Sequence, residues 1–181
     1  MTMDRLAAAG LAEGMSTNPH GVFGLAAGAA TLSTAAVGGL FYAFSTFVMR
    51  GLDRTDPAEA LIAMRGINAE AQANAPFLVF FVGSTVLAAG VGVLAVTRLA
   101  QPGSGYVLAG AVLAVVAFVI TTLCNVPLND RLDALDPSAL SAADALSQWQ
   151  AYLGTWTNWN HVRTVSPLVG SVLMLIGLGR R

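Results

Sequence analysis

Four long stretches of this chain carry no Asp, Glu, Lys or Arg: Gly21 to Met49, Ala71 to Thr97, Leu99 to Asn129 and Thr164 to Gly179. They are dominated by Ala, Leu, Val, Phe and Gly. A helix rises about 1.5 Å per residue, so about 20 apolar residues cross the hydrocarbon core of a bilayer. The first three stretches exceed that length, and the fourth reaches it by borrowing from the segment before it. The sequence therefore predicts an all-α polytopic membrane protein, a four-transmembrane-helix bundle.

Composition supports the same conclusion. Only 10% of the 181 residues are charged while 55% are hydrophobic, against roughly 25% charged in soluble domains; mean hydropathy is +0.66. A soluble bundle would show apolar stripes backed by polar faces, whereas Val107 to Leu123 is apolar on every face. Residues 1–19 read as a flexible N-terminal tail and residues 20–181 as a single transmembrane domain. A net charge of −1 gives no footing for a nucleic-acid partner. The lone Cys124 argues against thiol relay chemistry.

All nine basic residues are Arg. Four spans put Arg5, Arg98, Arg180 and Arg181 on the side of the termini, and Arg50, Arg54, Arg65, Arg131 and Arg163 on the other. The counts nearly balance, but Arg98, Arg180 and Arg181 flank spans directly, which favours cytoplasmic termini in a bacterial plasma membrane. Gly24 and Gly28 have the spacing of a close-packing pair and permit a homo-oligomer.

The loops on the second side predict amphipathic helices. Asp56-Pro57 offers a cap and a proline first turn, after which Ala60, Leu61, Met64, Ile67 and Ala71 share a face that also contains Asn68. After Asp136-Pro137, with Asp136 or Ser138 as cap, a second helix groups Ala143, Leu146, Trp149 and Leu153. If it continues through Gly154, then Trp149, Leu153, Trp156, Asn160, Arg163 and Pro167 form one stripe. That stripe is either an interfacial aromatic belt with a snorkelling Arg or an inward polar site; unpaired Asn160 and Arg163 donors at the start of a span favour the second.

A second polar group is Asn125-Val-Pro-Leu-Asn129. Pro127 displaces the carbonyl of Leu123. Asn125 and Asn129 then either satisfy backbone groups or bind a substrate oxygen on a continuing helix, or they form part of an Asn-Pro helix stop. Asn68, Glu70 and Asn74 lie on the same side. His161 is open to three roles: acid/base or hydrogen-bonding work, an interfacial position, or metal or haem ligation, for which only Glu70 is a nearby carboxylate. No metal site and no cofactor are expected.

Gly39-Leu-Phe-Tyr-Ala-Phe-Ser-Thr-Phe-Val-Met-Arg-Gly-Leu52, Ala63-Met-Arg-Gly-Ile-Asn68, Asn125-Val-Pro-Leu-Asn129 and Trp156-Thr-Asn-Trp-Asn-His-Val-Arg-Thr164 together resemble the anthrone oxygenase-like family of small four-helix membrane proteins. The resemblance spans roughly Val22 to Leu178. Arg50 stands where family members often have Pro, and Asn74-Ala-Pro76 replaces a commoner Asn-Pro. Some fungal members oxidise anthrones to anthraquinones, so the resemblance implies a membrane-embedded oxidoreductase using dioxygen on a lipophilic phenolic or polyketide-type substrate. In that reading His161 or Glu70 is the base, Asn125, Asn129, Asn160 and Arg163 hydrogen-bond substrate oxygens with Asn68 and Asn74 nearby, and Trp156 and Trp159 stack on the rings. The rival reading is a non-enzymatic protein that binds a membrane lipid, a hydrophobic small molecule or a partner protein.

Overall fold

The computed structural model describes residues 19–181. The tail expected over residues 1–19 lies, apart from Pro19, outside them. Helix α1 (Pro19–Ala43) runs through a π turn (Phe44–Val48) into α2 (Met49–Leu52). Then come α3 (Pro57–Ala73), α4 (Ala75–Val96), α5 (Ser104–Ile120), a second π turn (Thr121–Asn125) leading into α6 (Val126–Asp133), a 3₁₀ turn (Pro137–Ala139) and α7 (Ala142–Gly179). Four helical segments are long and apolar enough to cross a membrane: Gly21–Leu52, Ala75–Val96, Ser104–Asp133 and Ala142–Gly179. The all-α four-span architecture is thus the one the charge-free stretches require.

The caps follow local chemistry. Asp56 accepts from Ala58 N at 2.9 Å, with Pro57 opening α3. Asn74 separates α3 from α4 and caps α4 by accepting from Phe77 N at 2.9 Å; each such cap contributes about 1 kcal/mol. Before α7 the cap differs from the sequence expectation. Asp136 caps only the 3₁₀ turn, and the Ser138 hydroxyl and amide hold its carboxyl below its ordinary pKa. Ser141 caps α7 instead, in a reciprocal pair with Asp144.

The fourth span and the loop helix before it are one rod. At 38 residues it is about 57 Å long, nearly twice a bilayer core of about 30 Å. Its first half packs on α3 and α6 through Ala60, Leu61, Met64, Leu132, Ala145, Trp149, Tyr152 and Trp156. The buried face is therefore Ala145, Trp149, Tyr152 and Trp156, rotated from the expected Ala143, Leu146, Trp149 and Leu153. Leu146 is exposed because α3 and α6 approach from the Tyr152 side. Trp149 Nε1 donates to Asp53 Oδ1 at 2.9 Å and ties the end of α2 to this unit. On α3, Ala60, Leu61, Met64 and Asn68 are buried.

Within the spans the close approach is between α5 and α7, at glycines other than those the spacing suggested. A Cβ on Gly110 would strike the carbonyl oxygen of Gly170, and one on Gly177 would come within 2.7 Å of the carbonyl oxygen of Gly103, which itself sits at φ +83°. Around Gly24 and Gly28 the described residues leave open space, so neither glycine packs one described span on another. In lipid, where apolar burial drives helix association little, such backbone proximity is what dispersion forces act through. Gly110→Val should destabilise the bundle by about 1–3 kcal/mol, whereas Gly28→Val should leave thermal unfolding in detergent unchanged. Equal melting of the two variants would refute this assignment of the interhelical seam.

Candidate functional site

Trp156, Asn160 and Arg163 follow one another at spacings of four and three on α7, so they share the face turned to the bundle interior. All three are buried, Arg163 being 6% exposed. Among the described residues the single ion pair joins Arg65 to Asp133, so no carboxylate accompanies Arg163. Its Nε donates to Asn160 Oδ1 at 2.8 Å and its Nη1 to Thr121 Oγ1 at 3.4 Å. The guanidinium carbon lies 4.3 Å from the Phe41 ring centre and 4.7 Å from that of Trp156. Each ring contributes about 0.5–2 kcal/mol to a cation so placed.

Both π turns support this arginine: Thr121 in the second accepts from it directly, and Ser45 in the first holds its partner Asn160. A π turn interrupts the regular i−4 hydrogen-bond ladder and leaves backbone groups to be satisfied from outside. Asn160 Nδ2 donates to Phe41 O at 2.9 Å and to Ser45 Oγ at 2.7 Å, bridging α1 and its π turn. Ser45 also meets Thr164 Oγ1 at 3.0 Å. At the second π turn the helix does not stop at Pro127: the wide turn ahead of it relieves the clash with the Leu123 carbonyl, and α6 continues. Asn125 and Asn129 consequently face α7 together. Asn125 Nδ2 donates to Trp156 O at 3.2 Å, while Asn129 Oδ1 accepts from Trp156 Nε1 at 2.9 Å and from Tyr152 OH at 3.0 Å.

Beside this network lies a cavity of about 800 Å³, bounded by α1, α3, α4, the α5–α6 segment and α7. Its aromatic wall comprises Phe41, Phe44, Phe77, Phe81, Phe118 and Trp156. Phe41 meets Phe81 edge-on at 5.7 Å and Phe77 stacks on Phe81 at 5.9 Å. The polar lining is Asn68, Glu70, Gln72, Asn74, Thr121, Thr122, Asn129 and Arg163. Asn68 is 8% exposed and its Nδ2 has no partner among the described residues. A smaller pocket of about 310 Å³ shares Asn68, Gln72 and Asn129 and reaches Asp133. The space is amphiphilic, with rings for a flat apolar body and a cation with amides for an oxygen-bearing edge.

The expected residues divide accordingly. Asn68, Asn129, Trp156 and Arg163 border the cavity directly; Asn125 and Asn160 sit behind them and hold Trp156 and Arg163 in place. Glu70 is exposed at the rim, where Asn74 Nδ2 donates to its Oε1 at 3.1 Å. His161 and Trp159 fall on the outer faces of α7, both exposed and outside the cavity lining. His161 meets the site only through Ser45, at 3.0 Å from Nδ1 to Oγ. Phe41, Ser45, Phe81, Phe118, Thr121 and Tyr152 are not among the residues expected from the sequence. Ser45 and Thr121, being polar inside charge-free stretches, carried a signal; one phenylalanine among many in an apolar span carries none. Among the described residues no three His, Cys, Asp or Glu side chains converge.

Because Asn160 is saturated by Phe41, Ser45 and Arg163, its truncation strands a buried carbonyl and a buried cation. Asn160→Ala should cost about 3 kcal/mol of stability, read as a lower melting temperature in detergent, while Asn158→Ala on the exposed face should cost nothing measurable. An Asn160→Ala protein as stable as the parent would show that the network is not structural.

No curated protein and no solved structure matches the chain. The family model described as anthrone oxygenase matches residues 77–173, more than half of it. The matched segment runs from the start of α4 well into the membrane half of α7 and contains Asn125, Asn129, Trp156, Asn160 and Arg163, but not α1 or α3. With the four-span fold in place around those residues, the chain belongs to the anthrone oxygenase family.

Proposed function

We propose that this protein is a membrane-embedded oxygenase that binds a flat lipophilic phenolic or anthrone-like molecule in the aromatic cavity and oxidises it with dioxygen. The observation that carries the reading is Arg163, a buried cation without a carboxylate, held beside an aromatic cavity of about 800 Å³. An arginine so placed favours a ligand oxygen that becomes negative during reaction. The exposed apolar side chains of Leu40, Leu78 and Val82 also line the cavity, which supports loading from the bilayer. The flanking Arg98, Arg180 and Arg181 support cytoplasmic termini in a bacterial plasma membrane.

In this mechanism Glu70 at the rim removes one proton from the methylene carbon between the rings. The electron pair delocalises onto the ring carbonyl oxygen, held by Arg163 and the free Nδ2 of Asn68. Dioxygen takes one electron from this anion, and recombination of the resulting pair forms a carbon–oxygen bond, giving a peroxide. Glu70 returns its proton to the outer peroxide oxygen and then takes the remaining proton from the same carbon as the O–O bond breaks; the leaving hydroxide and that proton combine as water, and a carbonyl remains. One dioxygen is consumed, one of its atoms enters the product and the other leaves as water. Trp156 and Phe81 flank the rings, whereas Trp159 is an anchor at the lipid boundary.

A second reading, a non-enzymatic carrier of a lipid or hydrophobic small molecule, is favoured by the structural bonding of Asn125, Asn129 and Asn160, which would serve a scaffold equally well. Oxygen uptake by purified protein with an anthrone separates the two. Under the oxygenase reading Glu70→Gln lowers turnover by about 10²-fold or more, and Arg163→Met lowers it by about 10²–10³-fold, with ligand still retained by Glu70→Gln. Intact binding with no uptake above a buffer control would sink the oxygenase reading and leave the carrier.

A further inference from the structure

The end of the bundle remote from the cavity has a different character. It gathers Arg98, just beyond α4, and Arg180 and Arg181, just beyond α7, and no Asp or Glu among the described residues joins them. The guanidinium carbons of Arg98 and Arg181 lie 4.6 Å and 3.9 Å from the centre of one ring, that of buried Phe23 in α1. Arg180 lies 4.4 Å over Tyr106 in α5. Arg181 Nη2 donates to the fully buried Ser104 at 3.2 Å, and Nη1 of Arg98 is buried with no hydrogen-bond partner among the described residues.

Two like charges on one ring repel, and a buried guanidinium N–H without an acceptor is costly. Desolvation and the neighbouring Arg98 charge both push the Arg181 pKa down from its ordinary value, the direction expected where cations crowd. An anion presenting several oxygens relieves both problems, since guanidinium forks match phosphate geometry. The level of the site identifies the source. Arg98 follows the last helical residue of α4 by two positions and Arg180 follows α7 directly, so both stand where apolar spans end and headgroups begin. Exposed Val22 and Leu99 beside them give acyl chains an apolar surface. A zwitterionic lipid brings its own ammonium into the cluster; an anionic one does not.

We propose that Arg98, Arg180 and Arg181 form a binding site for the phosphate of an anionic phospholipid headgroup, at the end of the bundle opposite the cavity. The site draws on the ends of all four spans and ties them together from outside the chain.

The test uses the full chain, delipidated in a neutral detergent and titrated with phosphatidylglycerol, phosphatidylcholine or inorganic phosphate, followed by native mass spectrometry and thermal unfolding. Phosphatidylglycerol should be retained one per chain and raise the melting temperature, with the other two doing neither. Arg98→Gln and Arg181→Gln should each weaken retention by about fivefold, while Arg131→Gln at the other end leaves it unchanged. Arg181 is exposed and lies beyond the last turn of α7, so its variant keeps the fold, checked by helical circular dichroism. Equal retention of the two lipids overturns the proposal, as does a preference that survives both substitutions. If phosphate alone reproduces the effect, the cluster is a free-anion site and not a lipid site. If no ligand changes stability yet Arg98→Gln melts lower in lipid-free detergent, the cluster is satisfied within the chain, residues 1–18 included, and the proposal fails.

Discussion

A buried cation without a counter-charge must be solvated by neutral groups, and the arrangement around Arg163 is organised to do this. Ionic pairing would cancel its field. Here an amide oxygen, a hydroxyl and two ring faces stabilise the charge without neutralising it, so its field remains directed at the cavity. The cost of burying an arginine in a membrane protein is several kcal/mol by most scales, and each neighbour offsets only part of it. Phe41, Thr121, Trp156 and Asn160 therefore have to be held in register together, which requires three separate spans to be fixed relative to one another.

The two π turns make that register possible. A straight α-helix satisfies its own backbone and offers little polar surface to its neighbours. Each wide turn breaks the ladder at the height of the site, and the amides of Asn160 and Asn125 cross between helices at these levels, one to Phe41 O and the other to Trp156 O. Asn129 then takes the indole N–H of the same Trp156. The amides that fix the helices also aim the side chains that face the cavity, so scaffold and site are one network. Stability effects on Asn125, Asn129 and Asn160 consequently say little about catalysis, and rim or lining residues carry the functional distinction.

How much of this was legible depended on periodicity and on rarity. The spans were readable because charge is absent over lengths that a bilayer fixes. Asn160 and Arg163 stood out because polar side chains at a span boundary are costly, and the spacing already set them beside Trp156. The rest depended on contacts remote in sequence. The spacing ties Trp156 to Asn160 and Arg163, but Trp159 is only three positions away, about 60° round the helix, and whether it shares the inward face is set by the packing of α1 and α6. The continuous α7 was conditional on Gly154 being tolerated within a helix, which its packing allows and its propensity disfavours. Gly24 and Gly28 have the right spacing for a seam, yet Gly103, Gly110, Gly170 and Gly177 form it, since only the partner helix decides which small residue is crowded.

The length of α7 explains where the cavity sits. A helix of about 57 Å cannot lie within a core of about 30 Å, so one half projects and gives α3 and α6 a surface to pack on. The last charge-free run of the helix begins at Thr164, immediately after Arg163. Arg163 therefore marks the height at which the rod passes from apolar span to polar cap. Below that height the cavity wall is α3, with Asn68 and Glu70; above it the wall is Phe77, Phe81 and Phe118 from two spans. A rigid rod crossing the boundary places one cavity across two phases, and a molecule with an apolar body and an oxygen-bearing edge is the shape of ligand that gains from both.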